Sequence, residues 1–116
     1  MDSIQRKLQA LDEMFGEGEA MRLWLSNVHL IGRNTEELRR TFEFLTKIVG
    51  MTPDRISGNV QLIMRNVDRL VRPRYEYLTK IQSRDLEGVN WILQPETKFI
   101  SRHPDYADFL ACEFKP

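Results

Sequence analysis

The chain repeats itself. Residues 28–48 and 60–81 align when one extra residue is allowed at Pro73, and twelve positions are then identical. Two aromatic positions, Phe42 and Phe44, recur as Tyr75 and Tyr77. The copies begin 32 residues apart, and their apolar residues follow a helical period. Helical repeats of this length form stacked hairpins, because each unit buries its apolar face only against its neighbours. The sequence therefore predicts an all-α fold, a short α-solenoid.

Apolar spacing and end signals predict seven helices, and no alternating strand pattern of useful length occurs. Asn34, Thr52 and Ser83 are expected N-caps, and Gly50 and Pro95 are expected helix ends. The predicted helices span residues 3–15, 18–27, 35–49, 53–63, 73–82, 84–94 and 104–113. The predicted core contains six residues of the two copies: Leu38, Leu45, Ile48, Leu70, Leu78 and Ile81.

A length of 116 residues suits a single domain. The repeat divides this domain into an N-terminal cap (1–24), repeat 1 (25–57), repeat 2 (58–94) and a partial repeat 3 (95–116), in which a third copy begins at Phe99. The acidic run from Asp12 to Glu19 supplies the polar outer face that the end of a solenoid needs. A further repeat in place of the cap is the alternative.

Net charge restricts the class of partner. The chain has 17 basic and 17 acidic side chains, which argues against a free-standing, strongly basic nucleic-acid binder. Residues 51–84 nevertheless carry 7 basic and 3 acidic groups, whereas residues 85–116 carry 3 and 6. An anion-binding surface is therefore expected in the middle third. The apolar runs are far shorter than the ~20 residues of a membrane span, so no membrane partner is expected. A single cysteine, Cys112, excludes an internal disulfide.

Three segments follow one another in the repeat: GMTPDRI, NVQLIMRNVDRL and LVRPRYEYLTKI. This succession resembles the repeat of the mitochondrial transcription termination factor (mTERF) family, and the resemblance covers about residues 25–113. Thr41 stands where the first copy would have the family's proline. The matching residues are Gly50, Thr52, Pro53 and Ile56, then Leu70, Pro73, Tyr77 and Leu78.

The resemblance implies a helical half-doughnut that binds DNA or RNA in mitochondria or plastids. It also implies a role in organellar transcription, ribosome assembly or RNA splicing.

Arginines at equivalent repeat positions are the candidate binding residues. Arg33 and Arg65 each come directly before an Asn cap, and Arg102 aligns with them in the expected third copy. Equivalent positions of a solenoid line up along one side, so these guanidinium groups would follow a phosphate backbone beside helix N-termini. The alternative is that these arginines donate to free carbonyls at the end of the preceding helix. With three neighbouring arginines added, the predicted set is Arg33, Arg39, Arg65, Arg69, Arg74 and Arg102.

Other charged and aromatic positions are expected to be structural. The acid–base series from Glu36 to Lys47, repeated from Asp68 to Lys80, has helical i,i+3 and i,i+4 spacing and predicts a self-paired, solvated face. The four aromatics of the repeat are able to stack on RNA bases, but their helical spacing beside leucines favours core packing.

No residue pattern indicates catalysis, a metal site or a cofactor site. His29 and His103 lack partners at ligand spacing, and the sequence contains no CxxC, HExxH, GxGxxG or Walker pattern. Cys112 lies in an apolar stretch and is expected to pack as a small apolar residue. The chain is therefore expected not to be an enzyme and to need no cofactor.

Two classes of function remain open. The first is a nucleic-acid-binding protein of mitochondrial or plastid gene expression, with RNA favoured over DNA, such as a component associated with the mitochondrial ribosome. The resemblance and the repeated arginines favour this class. The second is a protein-interaction or scaffold module of a larger organellar complex. Zero net charge, small size and the acidic final third favour that alternative.

Overall fold

The computed structural model describes residues 4–112, apart from the side chain of Ile31. Over these residues the chain contains helices and turns but no strand, which confirms the all-α prediction. The α-helices of this part of the chain are α1 (Ile4–Phe15), α2 (Glu19–Ser26), α3 (Thr35–Glu43), α4 (Pro53–Ser57), α5 (Arg72–Lys80), α6 (Asn90–Leu93), α7 (Glu96–Arg102) and α8 (Tyr106–Cys112).

Shorter helical turns lie between the α-helices. Three are 3₁₀-helices: Val28–Gly32, Val60–Met64 and Arg84–Glu87. Two are π-helices, Phe44–Val49 and Val67–Val71, and each continues directly from or into an α-helix. None of the helices between residues 4 and 112 is long and apolar enough to cross a membrane.

The described chain divides into two compact units, the first ending at Met64 and the second beginning at Arg65. This division falls inside the segment 58–94 that the sequence assigns to repeat 2. In the first unit, α1 packs against α2, α3 and α4, and the 3₁₀-helix Val60–Met64 packs against α3 and α4. Its fully buried side chains include Leu11, Leu23, Leu30, Leu45, Ile56, Leu62 and Ile63.

One order of elements occurs twice within the first unit. A long helix ends at a glycine with positive φ, a short α-helix follows, and a 3₁₀-helix closes the segment. The glycines are Gly16 (φ 115°) and Gly50 (φ 88°), where any side chain would be strained. Residues 4–32, which include the segment predicted as a cap and the start of predicted repeat 1, thus have the same element order as residues 35–64.

The second unit is built around α5, which packs against α8 and the 3₁₀-helix Arg84–Glu87. The ring of Tyr77 makes edge-on contacts with Phe99, Tyr106 and Phe109. All four aromatic side chains are buried. Tyr77 therefore belongs to the core, as its helical spacing predicts.

A π-turn absorbs the extra residue of the second copy. In a π-helix each N–H bonds the carbonyl five residues earlier, so one more residue fits without breaking the helix. Val71 N donates such a bond to Asn66 O at 3.1 Å. The structure thus has its wider turn at Val67–Val71, a few residues before Pro73, where the alignment puts the extra residue. Leu70 is only half-buried, and the buried positions between Val67 and Lys80 are Val67, Val71, Pro73, Arg74, Tyr77 and Leu78.

The core prediction is confirmed for Leu38, Leu45 and Leu78 and wrong for the two isoleucines. Ile48 is 55% exposed because it lies in the π-turn Phe44–Val49, whose wider period rotates it away from the face of Leu45. Ile81 is exposed because α5 ends at Lys80, one residue before it.

Local end signals predict the helix starts well. The side chains of Asn34, Thr52 and Ser83 each accept a backbone N–H of the first turn, which confirms all three N-caps. Helices predicted at 3–15, 18–27, 35–49 and 104–113 are confirmed within the described range. Residues 3 and 113, at the ends of the first and last of these, lie outside that range.

The remaining helix predictions differ from the structure at their interiors. The helices predicted at 53–63 and 84–94 are each interrupted at a glycine, Gly58 and Gly88, where a side chain does not support the helix. The prediction also lacks α7, because Pro95 ends one helix and is at the same time the N-cap of the next. The helix predicted at 73–82 begins earlier in the structure, because the π-turn Val67–Val71 leads directly into α5.

Truncation of Leu45 to Ala is expected to lower the free energy of unfolding by about 2–5 kcal/mol, because its side chain is fully buried. Ile48→Ala, three residues along, removes an exposed side chain and should cost within about 0.5 kcal/mol. Chemical denaturation measures both. Equal losses in the two variants would contradict the rotation of Ile48 out of the core.

Candidate nucleic-acid interface

The six predicted arginines fall into two groups. The side chains of Arg39, Arg65, Arg74 and Arg102 each contact a group within their own unit. Arg33 and Arg69 are exposed, and neither has a side-chain partner within residues 4–112. The first group has structural roles that the sequence does not reveal.

Arg74 is a core residue, and this burial does not fit its prediction as a phosphate contact. Its side chain is 2% exposed, at the helical position that Thr41 occupies in the first copy. Arg74 Nη1 donates to the backbone oxygens of Trp91 and Gln94, both at 2.9 Å. The guanidinium lies 4.6 Å from the centre of the Phe99 ring.

Burial lowers the pKa of Arg74, but a guanidinium stays protonated in proteins. The Tyr106 hydroxyl hydrogen-bonds the same guanidinium. Burial also raises the pKa of Tyr106 to about 12, so this hydroxyl keeps its proton. The charge of Arg74 is therefore held by oxygen atoms and an aromatic face inside the second unit, with no surface left for a phosphate.

Arg65, like Arg74, donates to a backbone carbonyl near the end of α6. Its Nη2 atom donates to Leu93 O at 3.3 Å, and Leu93 lies between the two residues whose carbonyls Arg74 contacts. Three backbone oxygens at the end of α6 thus receive donors from two arginines. Donation to free helix-end carbonyls is the alternative that the sequence left open, but the helix concerned follows the arginines in the chain instead of preceding them. Arg65 remains half-exposed.

Arg102 does not occupy the position of Arg33 and Arg65. The repeat signature Val-x-Leu-Ile at 28–31 and 60–63 recurs as Val-x-Trp-Ile at 89–92, and its third residue is buried each time. This match aligns Gln94 with the two arginines. The Gln94 Oε1 atom is buried and has no hydrogen-bond partner among the described residues. Arg102, in contrast, is the last residue of α7.

Arg102 and His103 both bind Asp85. The Arg102 guanidinium makes two hydrogen bonds of 2.7 Å to the Asp85 carboxylate, and His103 Nε2 lies 2.8 Å from Asp85 Oδ2. The bonds from Arg102, together with the bond from His103, lower the pKa of Asp85 to about 2. The charge of Arg102 is thereby largely neutralised, which weakens it as a phosphate ligand. The sequence gives no sign of this cluster, because Asp85 lies 17 residues from Arg102.

Arg39 lies beside Glu13 in the first unit. Arg39 Nη2 is 3.5 Å from Glu13 Oε2, and its Nε atom is buried without a hydrogen-bond partner in the described chain. Its side chain is 38% exposed. This pairing with a residue of α1 leaves Arg39 a poor candidate for binding an anion.

Arg33 and Arg69 differ in their electrostatic surroundings. Both flank an Asn N-cap, Arg33 before Asn34 and Arg69 three residues after Asn66. The first turn of α3 carries two exposed acidic side chains, and the turn that begins at Val67 carries only one. A phosphate near Arg33 would meet more negative charge, so Arg69 is the better placed of the two.

Arg84 is a further exposed cation that the prediction does not include. It lies on the 3₁₀-helix Arg84–Glu87 and has no side-chain partner within residues 4–112. Together with Arg102 and Gln94 it lines a cleft of about 470 Å³ in the second unit. Its position directly after the Ser83 cap, in the basic segment 51–84, is the signal that could have identified it.

No protein-family model, curated protein or solved structure matches this chain.

Replacing Arg74 with Met should destabilise the protein by about 3 kcal/mol, because the Trp91 and Gln94 carbonyls lose charged donors inside the core. The matched control, Arg69→Met, changes an exposed arginine four residues before Pro73 and should stay within about 0.5 kcal/mol. Urea denaturation followed by circular dichroism compares the two. A neutral Arg74→Met variant would show that these bonds contribute nothing net to the fold.

Stability should depend on Asp85 in a defined pH range. The folded-state pKa of about 2 is below the ordinary value of 3.8, so ionised Asp85 stabilises the folded state above about pH 4. This contribution disappears as pH falls through 2. Asp85→Asn should therefore lower stability at pH 7 and match the parent near pH 2. Thermal denaturation across this range measures the difference, and a deficit that is constant with pH would contradict the ion pair.

Proposed function

We propose that this chain is a non-catalytic helical-repeat protein that binds RNA in organellar gene expression. The helical hairpins stack as a short α-solenoid of the mTERF type, in a mitochondrion or plastid. The chain serves as a component of a ribonucleoprotein, such as a subunit associated with the mitochondrial ribosome. Support for this proposal comes from the repeat, from the resemblance of residues 25–113, and from the arginines that stay available at the surface.

The observation that carries the proposal is the exposed guanidinium of Arg69. It lies at the start of a helical segment that runs unbroken from Val67 to Lys80. The positive end of the helix dipole and the guanidinium attract a phosphate together, and arginine binds phosphate oxygens in a bidentate manner. Arg84 in the same unit and Arg33 in the other supply further exposed positive charge.

RNA is favoured over duplex DNA because the number of available cations is small. Tight binding to duplex DNA rests on many phosphate contacts, commonly 6–10 in a specific complex. The three candidate arginines, Arg33, Arg69 and Arg84, provide fewer, and the chain as a whole is neutral. In a ribonucleoprotein the neighbouring proteins share the binding of the RNA, so few contacts per subunit suffice.

A second candidate function is a protein-interaction module that does not touch nucleic acid. Large apolar side chains at the surface of the first unit favour it, above all Leu25 and Val28. The acidic side chains of the final third are also exposed, among them Glu96, Asp105 and Asp108, and they suit a basic protein neighbour.

The salt dependence of RNA binding separates the two candidates. We expect the parent chain to bind a single-stranded RNA with a log–log salt slope near −2, at about −0.7 for each of three arginine contacts. Arg69→Gln should flatten the slope by about 0.7 and weaken binding to all sequences alike. Fluorescence anisotropy over a salt titration measures both quantities, and a duplex DNA of equal length tests the preference for RNA.

The matched control is Arg22→Gln. Arg22 is also exposed, but its guanidinium already pairs with Glu19 at 2.6 Å, so its removal should leave the slope unchanged. A parent chain that binds neither RNA nor DNA would favour the protein-interaction module. A loss of binding that is equal in Arg22→Gln and Arg69→Gln would contradict a specific role of Arg69.

A further inference from the structure

The cleft of about 470 Å³ in the second unit has a mostly polar lining. It lies between the 3₁₀-helix Arg84–Glu87, α6 and the end of α7, and its size is in the range of small-ligand sites. Trp91 is the only apolar side chain among its described lining residues, so the cleft favours a ligand that forms hydrogen bonds. The polar lining residues are Arg84, Asp85, Glu87, Asn90, Gln94 and Arg102.

Hydrogen bonds within the unit fix the walls of this cleft. The Arg102 guanidinium binds the Asp85 carboxylate through two bonds of 2.7 Å, which join the end of α7 to the 3₁₀-helix. The indole Nε1 of Trp91 donates to Gly88 O at 3.1 Å, which joins α6 to the residue after the same 3₁₀-helix. A site with walls that are already fixed loses less entropy when a ligand binds.

Three lining side chains keep hydrogen-bonding groups that the fold does not use. Arg84 and Asn90 are exposed, and neither side chain has a partner within residues 4–112. The Oε1 atom of Gln94 is buried without a donor among the described residues. A buried acceptor without a donor costs free energy, which a ligand N–H would recover. Because the last torsion of a glutamine is soft, this amide can turn toward the cleft.

These unused groups suit the two ends of a nucleotide. The Arg84 guanidinium is able to bind phosphate oxygens in a bidentate manner. The amides of Asn90 and Gln94 each carry a donor beside an acceptor, which is the pattern that pairs with N6 and N7 of adenine. Unpaired bases of single-stranded RNA expose these edges for hydrogen bonding. A phosphate alone would leave both amides unused.

The acidic residues of the lining do not cancel the attraction for a phosphate. The Asp85 carboxylate is already bound by Arg102 and His103. Glu87 is exposed, so water and salt screen its charge. The guanidinium of Arg84 therefore stays available to an anion.

We propose that this cleft binds one unpaired adenine nucleotide, with the phosphate on Arg84 and the base edge on the amides of Asn90 and Gln94. That the nucleotide belongs to an RNA strand rests on the proposed function, whereas the cleft and the class of its ligand rest on the lining groups alone. The inference adds selectivity for a base to a surface whose arginines contact only phosphates.

Titration of the full chain with adenosine monophosphate, followed by proton–nitrogen correlation NMR, tests the cleft. The indole N–H signal of Trp91 should shift because its Nε1 atom bonds a carbonyl of the lining, whereas that of Trp24, in the first unit, should not. Asn90→Ala should weaken binding about fivefold or more, which is the loss of one good amide contact to a base.

The matched control is Gln61→Ala. Gln61 is an exposed amide at the repeat position equivalent to Asn90, but it lies in the first unit, so this variant should bind adenosine monophosphate as the parent does. Ribose phosphate, which has no base, and uridine monophosphate, which has a different base edge, should both bind the parent more weakly. Circular dichroism checks that both variants are folded.

Four results would overturn the inference. The first is a parent that gives no shift with adenosine monophosphate. The second is a Trp24 shift as large as that of Trp91. The third is equal weakening by Asn90→Ala and Gln61→Ala. The fourth is equal affinity for adenosine monophosphate, uridine monophosphate and ribose phosphate, which would reduce the cleft to a phosphate site.

RNA oligomers separate this inference from the proposed function. A parent that binds adenine and uracil oligomers equally well would overturn the cleft as a base site and leave RNA binding intact. A parent that binds adenosine monophosphate in the cleft but binds no RNA would support the cleft and contradict the proposed function.

Discussion

The second unit depends on donors for the backbone oxygens at the end of α6. This helix is one turn long, so its last carbonyls have no partner within the helix. Arg74 supplies donors from α5, and Arg65 supplies one from the turn before Asn66. A guanidinium suits this place because its planar fork carries five N–H groups and stays protonated when buried. The polar bonds lie beside the ring of Phe99, so they join α6 to α5 within an otherwise aromatic core.

The same bonds reduce the positive charge at the surface. The segment 51–84 has an excess of four basic groups in the sequence, and this excess predicts an anion-binding surface. Arg74 is inside the core, however, and Arg65 is partly committed to a backbone oxygen. Counting charges along a chain treats every arginine as a surface cation, although a buried arginine acts as a set of hydrogen-bond donors. In the second unit, Arg69 and Arg84 are exposed and have no side-chain partner among the described residues, so they indicate the available positive charge better than a count of basic residues does.

Features determined by neighbouring residues could be predicted from the sequence. The caps at Asn34 and Thr52 need only a side-chain oxygen and the next turn of backbone, and the burial of Leu45 and Leu78 follows from helical spacing. Leu70 could not be predicted in the same way, because it lies in a π-turn that changes the period at a place that residue types alone do not mark.

Features that depend on residues far apart in the chain could not be predicted from the sequence. The sequence predicts Arg102 from its expected repeat position and Arg74 as an arginine that neighbours that position in the second copy. Their real partners lie 17 or more residues away, and those of Arg74 are backbone carbonyls, which every residue possesses. Gln94 stands at the position equivalent to Arg33 and Arg65. Because glutamine replaces arginine there and proline follows it, the third copy of the signature, which begins at Val89, is hard to recognise from the sequence.

The surface of the described residues is mixed. Arg33, Arg69 and Arg84 are exposed cations without a side-chain partner among them, and Met21, Leu25 and Val28 are exposed apolar side chains. With the three phosphate contacts proposed for it, a neutral chain would bind RNA weakly and gain little from long-range attraction. Apolar contacts are not weakened by salt, so protein contacts would contribute a more constant part of the binding energy in a ribonucleoprotein.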